Sequence, residues 1–276
     1  MFVVLRTIET PKGFSEKRKY KKLIKKAQPE AVRTDKGLPF FTLDIPENAT
    51  DGEWLEIAKK CDRYASRIVA PRKLSLPDYC GMKRFVPSYT QSLLNFNTAV
   101  ETIRNTSANP YEISITVTDR NAVHHSRINK LLPFASSLRV ITLYPEKYAS
   151  ACREALDEHG ASVIIRSSYE PSSKRDIVIC CDGVISPHMT SAAVFSYKQH
   201  TVGKLQFIGN GVALIGSHSD IIPDEIDSTD FAGAVTELCG STEYKNSIFS
   251  SLVSNCNICD NLTPEKCLKC YADGRL

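Results

Sequence analysis

From Ile113 to Cys181 the chain alternates short, nearly continuous apolar runs with longer segments of mixed polarity. In order these read "ISITVTD", "NAVHHSRINKLL", "LRVITLY", "PEKYASACREALDEHG", "ASVIIRS" and "DIVICC". A run that is apolar at successive positions has no wet face, so as a strand it must be covered on both sides. Strands of that kind separated by segments of helical length specify parallel β-α-β crossovers. Right-handed crossovers then predict a Rossmann-like, doubly wound, mostly parallel sheet over residues 109–240.

The helix after "LRVITLY" is well marked. Pro145 sits at its first turn and Gly160 just past its end, the positions where a missing N–H and a left-handed cap cost least. "NAVHHSRINKLL" is read as a second helix. After "DIVICC" come the short strand candidates "AAVFSY", "KLQFIG" and "GVALIG", with Gly209–Gly211 as a tight turn, expected as an antiparallel addition to the sheet edge. "DSTDFAGAVTELCG" reads as a capped helix ending at Gly240, and "EYKNSIFSSLVSN" as another.

The first third has a looser rhythm. "MFVVLR" reads as a strand, and Ser15 caps a helix through Ala27. "LPFFTLDI" reads as a strand, followed by the helix "TDGEWLEIAKKCDRYA". Thr50 and Glu53 there form a capping box, and Trp54, Ile57, Cys61 and Tyr64 recur at helical spacing. "SRIVAP" reads as a strand stopped by Pro71, and a helix carries Leu93, Leu94, Phe96, Val100 and Ile103. The turn cluster "TSANPYE" marks a boundary. The divisions read this way are a basic strand/helix segment 1–36, an N-terminal α/β lobe 37–108, the Rossmann-like domain 109–240, and a helix with a cysteine tail 241–276.

The tail, "CNICDNLTPEKCLKC", holds two Cys-x-x-Cys pairs. Cys256, Cys259, Cys267 and Cys270 supply the four thiolates of a tetrahedral structural zinc site, with none left over. Thr263-Pro264-Glu265 reads as a cap, first position and acidic first turn of a helix that places Cys267 and Cys270 on one face. The same four thiolates satisfy an iron–sulfur cluster, but spacing and ligand type favour zinc. On this reading a serine at 267 loosens only the tail.

Ligands of open α/β sheets bind at the carboxyl ends of the strands. At the first such end stand Asp119, Arg120, Asn121, His124 and His125; at the fourth, Asp182, Gly183, Ser186 and His188. Asn121 with Arg120 can meet an anion at a helix start. Equally, Asp119 or Asn121 can serve only as a cap. No glycine occurs from Tyr111 to Arg139, and a pyrophosphate needs close backbone approach there, so NAD(P) or FAD is not expected in the usual pose. Cys180 and Cys181, in an apolar strand, read as buried and inert.

Charge is concentrated. The formal net charge is +4, yet residues 12–36 carry ten basic and three acidic side chains. The stretch "KRKYKKLIKK", Lys17–Lys26, suits a solvated face with a small docking stripe, or a helix resting on the phosphates of nucleic acid or of an acidic membrane surface. No apolar run approaches the roughly 20 residues of a membrane span. The start shows no signal peptide, which implies a reducing cytoplasm in which disulfides are rare.

No motif names a reaction. The reading is a cytoplasmic protein that binds a small ligand or partner and carries a structural zinc site. One alternative is an enzyme acting on a phosphorylated or nucleotide-like substrate at the strand ends. The other is a nucleic-acid-associated zinc protein using the basic helix.

Overall fold

The structure is a computed structural model that describes residues 1–9, 22, 25–33, 39–197, 202–209, 222, 225–240, 252–254 and 262–275. It divides into two compact units, residues 1–90 with 213–245 and residues 91–212 with 246–276.

In the first unit four strands, β1 (Val3–Ile8), β2 (Glu30–Arg33), β3 (Pro39–Pro46) and β4 (Ile68–Val69), lie in the order β2-β3-β1-β4. β1 is parallel to both β3 and β4, and β2 is antiparallel to β3. Helix α1 (Asp51–Cys61) starts where the capping box requires, with the Thr50 N–H donating to Glu53 Oε2 at 2.8 Å. Its buried Trp54, Ile57 and Cys61 meet Val3, Leu5, Leu43 and Ile45 of the sheet. Phe2 stacks on Phe40, and Phe231, from the short helix Ser228–Gly233, meets both rings edge to face. Of the basic segment, Lys22, Lys25 and Lys26 are helical and exposed. Ser15 and the rest of Lys17–Lys26 lie outside the described residues.

The second unit holds helix α2 (Ser88–Thr106) from Gln91 onward, then strands β5 (Ile113–Thr118), β6 (Ser137–Ile141) and β7 (Val163–Arg166), with helix α3 (Ala149–His159) before β7. β8 (Arg175–Cys180), β9 (Ala193–Ser196), β10 (Leu205–Gly209), β11 (Leu252–Ser254) and helix α4 (Pro264–Ala272) complete it. The sheet order is β11-β10-β9-β8-β5-β6-β7. Every neighbouring pair is parallel except β10 with β11. Counted from β5, the six parallel strands run 3-2-1-4-5-6, the Rossmann order, with its switch point between β5 and β8.

Several expectations change. β9 and β10 extend the sheet in parallel; the antiparallel addition is β11, where "EYKNSIFSSLVSN" was read as a helix. "GVALIG" and the turn residues after Gly209 lie outside the described residues. "NAVHHSRINKLL" is a series of turns followed by a 3-10 helix, Ile128–Phe134. Ala122 there adopts φ 55°, which breaks an α-helix, and Pro133 removes a donor. The boundary falls within α2 and not at "TSANPYE", because Phe96, Ala99, Val100 and Ile103 belong to the core of the second sheet.

Double winding is only partial. Alternate strand residues Ile115, Val117, Val140, Ile177 and Ile179 share a core with α2, α3 and α4. On the opposite face Ser114, Thr116, Thr118 and Asp176 are buried polar groups, and the smaller cluster of Val178, Cys180 and Val194 is covered by Tyr169, Met189 and Val202. The connections 167–174 and 181–192 contain no helix, so loops close this face. Asp176 anchors it: Arg139 Nη2 lies 2.8 Å from Oδ1, Tyr169 donates to Oδ2 at 2.7 Å, and Thr116 donates to Oδ1 at 3.1 Å.

Nor is the chain end an appendage. Cys267, Leu268, Tyr271 and Ala272 of α4 are buried in the main core, and the Tyr271 hydroxyl donates to the carbonyls of Asp176 or Ser191, each at 2.9 Å. A change at 267 is therefore expected to reach the sheet and not only the tail. Among the described residues no helix is long and apolar enough to cross a membrane.

Candidate functional site

The switch point brings the ends of β5 and β8 side by side, with Thr118 paired to Cys180. The residues that follow are Asp119-Arg120-Asn121 on one side and Asp182-Gly183-Val184 on the other. Of these, Asp119, Arg120, Asn121, Asp182 and Gly183 are candidates from sequence, and the fold makes the two strand ends neighbours.

Asp119 is a structural residue. It is buried, and its carboxylate accepts from the N–H groups of Val123 at 2.9 Å and His124 at 2.7 Å, and from the Tyr148 hydroxyl at 2.6 Å. These three donors hold the left-handed turn at Ala122. The expected cap is thus present, though it closes a turn instead of starting an α-helix.

His124 points inward. It is fully buried, its Nε2 lies 2.7 Å from Ser92 Oγ, and its ring stacks on Phe96 with centroids 4.8 Å apart. Burial pulls its pKa down to about 4, outweighing the pull of Asp119 in the other direction, so the ring is neutral near pH 7. Nδ1 has no hydrogen-bond partner among the described residues. His125 is half-buried, bonds the Ala122 carbonyl through Nδ1 at 2.8 Å, and meets Tyr148 edge to face. Neither histidine pairs with a nucleophile open to a ligand. Cys180 is pushed up to about 12, and Cys181 well above an ordinary thiol, in both cases chiefly by burial. Both thiols are protonated and inert near neutrality.

Asp182 is placed differently. Its Oδ1 accepts from Thr118 Oγ1 at 2.9 Å and from the Val184 N–H at 3.0 Å. Its Oδ2 has no hydrogen bond among the described residues, and faces Arg120 Nε at 3.7 Å, beyond hydrogen-bond range. The carboxylate is 10% exposed and the guanidinium side chain 52% exposed. Gly183 turns the chain with φ 69°, and a Cβ there would lie 2.5 Å from the Tyr197 hydroxyl, so glycine is favoured on both counts. The result is a fixed carboxylate whose second oxygen has an ion-pair neighbour but no hydrogen bond among the described residues, beside a half-exposed cation.

Ser186 and His188 are not drawn into this group. His188 N–H donates to Ser186 Oγ at 3.3 Å in a local turn, and the His188 side chain is exposed. Asn121 is exposed in the turn after Arg120.

The cysteine tail is half visible. Cys267, buried, and Cys270, half-buried, stand three residues apart on α4, with Pro264 at its first position as expected. Cys256 and Cys259 lie outside the described residues. Among the described residues no group of three or more metal-binding side chains occurs.

Sequence reasoning missed a second concave site, in the first unit, at the carboxyl ends of β1, β3 and β4. It measures about 530 Å³, and its charged wall is made by Glu47, Arg72, Lys73, Glu225 and Asp227.

No protein-family model matches the chain, and no curated protein matches it. Among solved structures, L-tryptophan dehydrogenase from Nostoc punctiforme aligns with 89% of this chain and 76% of that one, at 15% identity and a TM-score of 0.34. A likeness of that size carries no argument about chemistry.

Proposed function

We propose that this is a cytoplasmic small-ligand-binding protein whose ligand sits at the β5/β8 switch point of the second unit. The observation that carries the reading is Asp182 Oδ2, an acceptor with no hydrogen bond among the described residues, held by its sister oxygen and set beside Arg120. A buried acceptor left unmet costs about 1–3 kcal/mol, which a ligand hydroxyl or amine recovers on binding. Arg120, half in solvent, can turn its guanidinium to an anionic group of the same ligand. The ligand class is therefore a small hydroxylated anion, such as a sugar phosphate or nucleotide.

The reading is of binding and not catalysis. The acid-base candidates Asp119 and His124 are tied into the turn beneath the site, and neither offers a proton to a ligand. NAD(P) and FAD are not part of the proposal. In their usual pose the pyrophosphate meets N–H groups after the first strand, and here Asp119 already accepts from two of them.

Isothermal titration of the full chain with ribose 5-phosphate and with AMP is the test. At least one should bind, and Asp182→Asn, which keeps the shape and removes the charge, should weaken it about tenfold or more. No binding of either, or equal affinity in the variant, contradicts the reading.

The proposal includes a structural zinc held by Cys256, Cys259, Cys267 and Cys270. Helix α4 supports it by setting Cys267, buried in the core, and half-buried Cys270 three residues apart, as a Cys-x-x-Cys pair requires. When bound, the ion would tie the end of the chain to α4 and add folding free energy there. Elemental analysis should find about one zinc per chain, and X-ray absorption should give Zn–S distances of about 2.3 Å. Iron with visible absorption would replace zinc by a cluster, and the absence of any metal would remove the site.

A further inference from the structure

The first unit carries a second site, independent of the switch point. Its cleft of about 530 Å³ has the size of a small-molecule pocket. Three parallel strands end at its floor: Thr7 lies on β1, Glu47 follows β3, and Pro71–Leu74 follow β4. Such strand ends are where open α/β sheets collect ligands, because the turns that follow them diverge.

The wall is fixed before any ligand arrives. Arg84 donates from Nη1 to the Ala70 carbonyl at 2.7 Å and from Nη2 to the Pro71 carbonyl at 2.8 Å, and it also reaches the Leu74 carbonyl. One guanidinium thus clamps the whole loop that lines the cleft. Buried Leu74 and Ile226 provide an apolar surface. Glu225 is held too, since Thr7 donates to its Oε2 from the backbone N–H at 3.3 Å and from its hydroxyl.

Charge decides the ligand. Arg72 is committed, with Nη2 3.0 Å from Asp227 Oδ2 and Nε 3.6 Å from Asp230 Oδ2. Among the described residues Glu47, Glu225 and Lys73 have no ion pair, so the open charge on the wall is two carboxylates against one ammonium. Two carboxylates lining one cleft with an apolar surface fit a protonated amine with a hydrophobic body. We propose that this cleft binds a small amphipathic ammonium compound, its nitrogen at Glu225 and Glu47 and its carbon body on Leu74 and Ile226.

The test uses phenethylamine, with phenylacetate and 2-phenylethanol as the acidic and neutral counterparts, titrated into the full chain by calorimetry. Phenethylamine should bind at least tenfold more tightly than either counterpart. Glu225→Gln should cut that affinity about tenfold, Lys73→Met should raise it severalfold by removing a like charge, and Asp182→Asn should leave it unchanged. The last variant separates this site from the switch point. No binding of the amine, equal binding of phenylacetate, or indifference to both Glu225→Gln and Lys73→Met would overturn the proposal.

Discussion

Acidification should weaken the second unit through His124. The ring is fully buried against Phe96 and bonded to Ser92, and burial holds its pKa at about 4 against an ordinary 6.5. Arg127 and His125 push the same way, and Asp119 pushes back. A folded-state value below the unfolded one means that the unfolded chain takes the proton first. Stability from this group is therefore complete above about pH 6.5 and is lost as pH falls towards 4. At about 1.36 kcal/mol per pH unit the full loss is about 3 kcal/mol, and most of it is gone by about pH 4.5. Trp54, the only tryptophan, belongs to the first unit, so fluorescence is not a local probe of this change. Amide hydrogen exchange in β5 and β8, corrected for intrinsic rates, does. Between pH 7 and about 4.5 the wild type should lose about 2–3 kcal/mol more protection than His124→Gln, which can bond Ser92 but does not titrate. Identical pH dependence in the two proteins, or an imidazole midpoint near 6.5 by NMR, would refute the reasoning.

Three further outcomes follow from the interior. Asp176→Ala leaves Arg139, with a side chain only 13% exposed, without its counter-ion, and should cost about 3–5 kcal/mol in chemical denaturation; the apolar pair Asp176→Leu with Arg139→Met should recover most of that, and a loss under about 1 kcal/mol would contradict the buried pair. Cys267→Ser both removes a ligand of the proposed zinc and places a hydroxyl in the sheet core, and it should lower exchange protection throughout β5 and β8 by about 1–3 kcal/mol, whereas loss confined to the last residues would restore the picture of a separate tail. Glu237, which accepts from the Thr90 N–H at 2.8 Å, has its pKa raised chiefly by burial, so the folded state holds that proton more tightly and stability falls as pH rises through its folded value. Glu237→Gln should flatten this slope in the Trp54 unfolding transition, and an unchanged slope would remove Glu237 as its source.

What could be read in advance followed physical periodicity. The runs "ISITVTD", "LRVITLY" and "DIVICC" became strands because a nearly continuous apolar run has few other ways to hide from water. The caps at Thr50, Asp227 and Gly160 are local, so sequence shows them directly. Strand direction is not local: "AAVFSY" and "KLQFIG" look alike whether parallel or antiparallel, and the few residues between them carry no helical sequence pattern. Asp176 stands at the start of a strand, where a charge ordinarily marks the wet end, and only the fold reveals that Arg139 and Tyr169 enclose it. The pairing of Asp182 with Arg120 was half visible, as two polar strand ends whose adjacency depends on sheet order. The first-unit cleft was not visible at all, since Glu47, Arg72 and Glu225 come from three distant segments with no shared motif.

The central claim is that the β5/β8 switch point is a ligand site organised by Asp182. Its most direct test is a two-dimensional amide NMR titration of the full chain with ribose 5-phosphate and AMP. Saturable shifts should concentrate at residues 118–121 and 182–184 and vanish in Asp182→Asn. No shifts there at millimolar ligand, or shifts of equal size in the variant, would contradict the account.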